Sequence, residues 1–110
     1  MGRFVKGDLV VVPFPFSDLS ATKKRPAFVV ADLIGDDVVL CQITSQATSD
    51  SYAIAITTNE LTSGKLRQAS NVRPNRLFTA DSNIILYQIG SANAIKTQEI
   101  IDGVVRIVTT

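Results

Sequence analysis

The stretch Lys6-Gly7-Asp8-Leu9-Val10-Val11-Val12-Pro13-Phe14-Pro15-Phe16 decides how this chain is read. Leu9 to Val12 is rich in valine, whose branched Cβ suits an extended pleat, and Gly7-Asp8 opens it with a turn. Pro13 and Pro15 carry no N–H, so the strand is expected to stop at them. Ser17 to Lys24 is small and polar, a loop longer than a hairpin needs and of the kind that carries function. Arg25 is pushed out of the helical region by Pro26, so Arg25-Pro26 starts an extended segment that continues as the apolar run Ala27 to Ala31.

Working outward, Gly35-Asp36-Asp37 reads as a tight turn and Val38 to Thr44 as the next strand. Its pleat puts Val38, Leu40, Gln42 and Thr44 on one face and Val39, Cys41, Ile43 and Ser45 on the other. Gln42 and Thr44 form a polar tail, as where a strand leaves a core and enters a groove. Tyr52 to Thr57 is a further strand, and residues 59–68 are expected to be irregular. Val72 to Thr79 and Ile84 to Gly90 complete the set, with Pro74 marking the first of them as an edge or interrupted strand. Ile100, Ile101, Val104, Val105 and Val108 then recur at helical spacing, with Thr97 as the expected N-cap. Gly103 costs that helix about 1 kcal/mol relative to alanine, which packing must offset. Five or six short strands and one terminal helix predict a single mainly β domain over residues 1–110, a strongly bent antiparallel barrel.

Composition narrows the chemistry. The chain has 110 residues, 45% of them hydrophobic and 19% charged, which is ordinary globular composition rather than disorder. Its longest apolar runs fall far short of the roughly 20 residues that cross a bilayer, and Arg3 and Lys6 are followed by no signal-peptide core. A cytoplasmic protein with no membrane association is therefore expected. One cysteine and no histidine exclude an intramolecular disulfide and the cysteine- and histidine-rich zinc patterns, so neither a metal nor a cofactor is expected. The net charge of +1 argues against a general nucleic-acid coat. The basic residues are grouped, however. Lys23-Lys24-Arg25 form one knot and Lys65, Arg67, Arg73 and Arg76 a second, which suits a grip on a short run of phosphates.

The blocks Lys6-Gly7-Asp8 with Val10 to Phe16, Lys24-Arg25-Pro26-Ala27, and Ile43-Thr44-Ser45-Gln46 together resemble the MazF/PemK-type toxins of bacterial toxin–antitoxin systems. Ser70-Asn71-Val72-Arg73-Pro74 and Leu77-Phe78-Thr79 resemble the second half of that family. The resemblance covers roughly residues 6–90. It implies an SH3-like barrel that forms a homodimer, cuts single-stranded RNA at short sequences without a metal, and is neutralised by a cognate antitoxin. It implies Arg25, at the head of the second strand, and Thr44, at the end of the third, as the catalytic pair. Family members that also use a histidine and an acidic residue have no evident counterpart here.

In that chemistry the RNA 2′-OH attacks its own neighbouring phosphorus, and the protein must stabilise charge on the phosphoryl oxygens. A planar guanidinium such as that of Arg25 grips two such oxygens at once. Lys23 and Lys24 are expected to attract the backbone. Ser17, Ser20, Ser45, Gln46, Ser70 and Arg73 are candidate base or backbone contacts. The plainer alternatives are an ion pair of Arg25 with Asp18 or Asp50 and an ordinary strand threonine at 44. Two rival functions stay open at this point: a non-catalytic toxin on the same barrel that binds a protein such as gyrase, and an RNA- or protein-binding module without catalysis.

Overall fold

The computed structural model describes residues 4–15 and 22–110. Seven strands, β1 (Asp8–Pro15), β2 (Thr22–Asp32), β3 (Asp37–Thr44), β4 (Ile54–Ile56), β5 (Leu61–Gly64), β6 (Ser70–Asp81) and β7 (Tyr87–Ala92), form one sheet, followed by the helix α1 (Ala94–Thr109). Their spatial order is β4-β6-β3-β2-β1-β7-β5, every observed pairing is antiparallel, and the sheet curls into a half-barrel. The expected mainly β barrel with a C-terminal helix is what the chain forms. No described helix is long and apolar enough to cross a membrane.

Alternation along the central strands builds two cores, one on each side of the sheet. Leu9, Phe28, Cys41, Ile43, Ile56 and Val72 pack on one side, closed by Ile100 of α1. Val10, Val12, Ala27, Val29, Val38 and Leu40 pack on the other, covered by Phe4, Phe78, Ala80 and Ile85. Apolar residues at both phases explain why β1 and the middle of β2 read as continuous apolar runs rather than as alternating ones. Burial pushes the Cys41 thiol up to about 12, so it stays protonated and serves as a packing group.

Several boundaries differ from the sequence reading, each for a physical reason. β1 runs through both prolines, pairing Pro13 with Lys24 and Pro15 with Thr22. The Val11 carbonyl accepts from Leu86 N–H at 2.8 Å, on the side away from β2. Pro13 and Pro15 share that phase, and β7 pairs with β1 only as far as Val11. Their missing N–H groups therefore face a side with no strand beside it among the described residues, and no ladder bond to β7 is lost. Residues 61–64, expected to be irregular, form β5 through pairing with β7. Gly64 has φ +76°, and a Cβ there would run into the Ile89 carbonyl, so the two backbones approach where only glycine fits.

The strand expected over 52–57 is confined to Ile54–Ile56, and Ser82–Ile84 form a 3₁₀ turn that delays the last strand to Tyr87. Pro74 is not on an edge strand, because β6 lies between β3 and β4; it falls in an interruption where Cys41 pairs with Leu77 and Gln42 with Arg73. The helix begins a turn earlier than expected. Asn93, not Thr97, is the N-cap, its Oδ1 accepting from Lys96 N–H at 2.7 Å. Gly103 is buried, and a Cβ there would meet Ile54 Cδ1 at 3.1 Å and Pro74 Cγ at 3.4 Å. The propensity lost at Gly103 is what lets α1 lie close to β6.

Candidate functional site

Antiparallel register places the candidate residues. Val12 of β1 lies opposite Arg25, and Ala27 opposite Gln42. Continuing that β2–β3 register by two residues sets Arg25 opposite Thr44, and Thr44 in turn faces Asn71 of β6. Residues directly opposite share a face with Cβ atoms about 5 Å apart. Val12, Arg25, Thr44 and Asn71 thus form one row across four strands, on the side of the Val10/Val12/Ala27 core. One rung further in, Gln42 lies opposite Arg73 on the same face. Both Arg25 and Thr44 are half-buried, at the rim where that core ends. The hydroxyl of Thr44 accepts from Gln46 N–H at 3.2 Å, which turns the chain at the end of β3.

Arg73 is committed to a partner. Its Nε and Nη2 donate to Asp50 Oδ2 at 3.1 and 3.0 Å, and Asp50 Oδ1 accepts from Tyr52 N–H at 2.9 Å. The Tyr52 N–H, then the Arg73 guanidinium and Asn75, hold the Asp50 carboxyl below its ordinary value. Asp50 was one alternative partner for Arg25; its ion pair is with Arg73. The other, Asp18, lies outside the described residues, as do the candidate contacts Ser17 and Ser20. Lys23, opposite Phe14 in the ladder, shares the phase of Arg25 and is exposed.

Lys24, Ser45 and Ser70 fall on the opposite side. Each is one residue out of phase with Arg25, Thr44 or Asn71, and they line an open groove of about 530 Å³. Val11 and Pro26 belong to its lining, and Tyr87 to Ile89 form its β7 side. Lys65, Leu66, Arg67 and Gln68, from the connection between β5 and β6, belong to it too. The groove exists because β7 stops at Tyr87 while β1 runs on. The connection is pinned at Leu66, whose N–H donates to Thr58 Oγ1 at 2.9 Å and whose carbonyl accepts from the same hydroxyl at 3.1 Å. Thr58 opens a 3₁₀ turn held by Glu60, whose Oε1 accepts from Thr57 N–H at 2.7 Å. The candidate set is therefore split between two faces that meet at one sheet end. Asn71, Tyr87 and Gln88 were not singled out from the sequence as site residues, nor was Asp50 as a partner for Arg73. Asn71 could have been, since it is the polar neighbour of the buried Val72 at a strand start. Asp50 could not, because only the folded 45–53 connection brings it to Arg73. Among the described residues, no three His, Cys, Asp or Glu side chains gather to hold a metal ion.

Comparison with known proteins agrees with this architecture. No curated protein sequence is significantly similar to the chain. Among solved structures, the MazE–MazF complex of Deinococcus radiodurans superposes with a TM-score of 0.73 at 17% identity, covering 96% of this chain and 95% of that one. The Mycobacterium tuberculosis toxin MazF-mt6 gives 0.71 at 15% identity, over 92% of this chain and 95% of its own. A mycobacterial endoribonuclease in complex with its cognate antitoxin gives 0.72 at 14% identity, over 96% and 95%. At such identities the likeness is one of fold. The sequence profile of the PemK-like, MazF-like toxins of type II toxin–antitoxin systems matches residues 5–108, and the chain belongs to that family.

Proposed function

We propose that this toxin is an endoribonuclease that cuts single-stranded RNA without a metal ion. The observation that carries the reading is that Arg25 and Thr44 each lie two residues beyond the paired Ala27 and Gln42, in the same phase of adjacent strands. In the cleavage step the ribose 2′-oxygen forms a bond to the adjacent phosphorus and the bond to the 5′-oxygen breaks. The products are a 2′,3′-cyclic phosphate and a free 5′-OH. The 2′-OH loses its proton to solvent and the leaving oxygen gains one, so no water is consumed. Arg25 grips the phosphoryl oxygens as charge builds on them, and the Thr44 hydroxyl donates a hydrogen bond to the same group. Single strands are preferred because their bases can be splayed out and read.

The active species is a homodimer neutralised by a cognate antitoxin. Leu77, Ile84 and Leu86 are exposed near the half-buried Phe78 and Ile85, an apolar surface that a second copy would cover. An acidic antitoxin segment suits grooves made for phosphates and would compete with RNA. The test is incubation of antitoxin-free protein with single-stranded RNA in EDTA, with end-group analysis. Cleavage leaving cyclic phosphate and 5′-OH ends supports the reading; cleavage that vanishes in EDTA and returns with Mg²⁺ overturns the mechanism. No cleavage under either condition would turn the assignment toward a binding toxin. Light scattering at micromolar concentration that gives a monomer mass would overturn the dimer.

A further inference from the structure

The groove holds Lys65 and Arg67 of the second basic cluster, yet the cleavage chemistry above uses neither. Among the described residues its charged lining is Lys24, Lys65 and Arg67, with no Asp or Glu beside them. On a chain of net charge +1 that is a strong local excess. Lys65 and Arg67 are both exposed and flank Leu66, whose backbone is clamped on both sides by the Thr58 hydroxyl. The two cations are therefore presented on a fixed segment. Across the groove, Tyr87 is 54% exposed at the first position of β7, against Val11 of β1. A large aromatic left half in water beside three cations has no packing role that accounts for it. A ring face with flanking positive charges is the pairing that binds single-stranded nucleic acid, the base stacking on the ring and the phosphates meeting the cations.

Continuity with the Arg25/Thr44 row gives the groove its direction. Lys24 precedes Arg25 and Ser45 follows Thr44, so the groove and the row are the two sides of the same strand ends. An RNA strand crossing that end passes from one to the other within a nucleotide or two, since adjacent Cα atoms are only about 3.8 Å apart.

We propose that the groove is a nucleotide subsite for RNA flanking the cleaved bond, with Tyr87 stacking the base and Lys65 and Arg67 holding its phosphates. The site is an extension of the nuclease reading and rests on it for its place in the reaction. As a stacking-and-charge site it is sequence-tolerant, serving grip rather than choice of motif.

The probe is a fluorescein-labelled 2′-O-methyl RNA 12-mer of random sequence, which has no free 2′-OH to attack, titrated into antitoxin-free protein by anisotropy across a salt series. Tyr87→Ala is expected to weaken binding about 5- to 150-fold, and Tyr87→Phe to leave it near wild type, because a stacked base contributes about 1–3 kcal/mol. Lys65→Ala with Arg67→Ala is expected to reduce the slope of log K against log salt by about 1.4, two charges at about 0.7 each. All three positions are exposed, so thermal melts should stay at the wild-type value. Wild-type cleavage of ordinary RNA, run in parallel, reads the parent assignment by itself. If wild type cleaves but all these variants bind the probe as wild type does, the groove is not a nucleotide site and the nuclease reading stands. If wild type does not cleave while the variants lose binding as described, the subsite stands and the nuclease reading falls. Variants that lose affinity only for the antitoxin, with probe binding intact, overturn the subsite in favour of a protein-docking groove.

Discussion

Lys24 and Arg25 are neighbours in the chain, as are Thr44 and Ser45, yet each pair is divided by the thickness of the sheet. On the Arg25/Thr44 side Arg73 is held in a two-bond fork by Asp50, and the polar row is closed behind by a packed valine core. On the Lys24/Ser45 side Lys65 and Arg67 meet no lining carboxylate among the described residues, and the floor is an open groove. The difference teaches a division of labour. A half-buried surface with an ion-paired arginine holds groups in place for a reaction, whereas a solvated cationic one attracts and retains a long anion.

The sharpest way to break this comparison is to remove one cation from each face. Arg25→Ala should cut the cleavage rate on the order of 10²- to 10³-fold, the scale for losing a preorganised donor at a developing charge. Lys24→Ala should mainly change the salt dependence. Equal rate losses in initial-velocity assays would erase the distinction between the faces. Thr44→Ser should keep most of the activity and Thr44→Val little, since the hydroxyl is the working group.

Gly64→Ala comes next in size. A Cβ at φ +76° would press into the Ile89 carbonyl and the Gly90 Cα, forcing β5 away from β7 and loosening the groove wall with it. We expect a loss of about 2 kcal/mol, or about 10 °C in Tm by calorimetry. Probe binding should fall while cleavage of very short RNA at low temperature persists. Persistence of both would show that the groove wall does not depend on the β5–β7 contact.

Asp50→Asn should have a smaller effect of the opposite sign. Releasing Arg73 adds one uncompensated cation to the Arg25 face, so RNA binding should tighten at low salt and the salt slope steepen by about 0.7. An unchanged slope would show that RNA does not reach Arg73. The smallest effect is that of acid. Because the folded Asp50 carboxyl is held below its ordinary 3.8, its contribution is present in full above that value. It is lost as pH falls from 3.8 through the lower folded value. Above pH 5, denaturation midpoints of wild type and Asp50→Ala should differ by a constant amount, converging only below 3.8. Convergence near neutral pH would mean that another group controls the loop.

The sequence carried much of this because its strongest signals were local. Arg25-Pro26 dictates an extended strand head, Gly35-Asp36-Asp37 a turn, and the spacing of Ile100, Ile101 and Val104 a helix, whatever the rest of the chain does. Alternation along Val38 to Thr44 likewise separated Thr44 from Ser45 correctly, although the contacts drawn around it then ignored that separation. What escaped depended on partners distant in sequence. β5 is a strand only because β7 lies beside it, since Leu-Thr-Ser-Gly has little strand character alone. The prolines of β1 did not stop it, since which side each missing N–H faces depends on the neighbour, not on the residue. Asp50 was in view only as a partner for Arg25, because its pairing with Arg73, 23 residues downstream, exists only in the folded chain.

Those prolines have one more consequence. A strand whose outer edge is bare normally invites a strand from another molecule, and edge-to-edge pairing is a route to aggregation. Beyond Val11, the outer side of β1 offers carbonyls but, at Pro13 and Pro15, no donors, so an incoming strand finds half its ladder missing. The groove can stay permanently open without making the protein sticky. Any partner that settles there, nucleic acid or peptide, must be recognised through side chains rather than by adding a strand to the sheet.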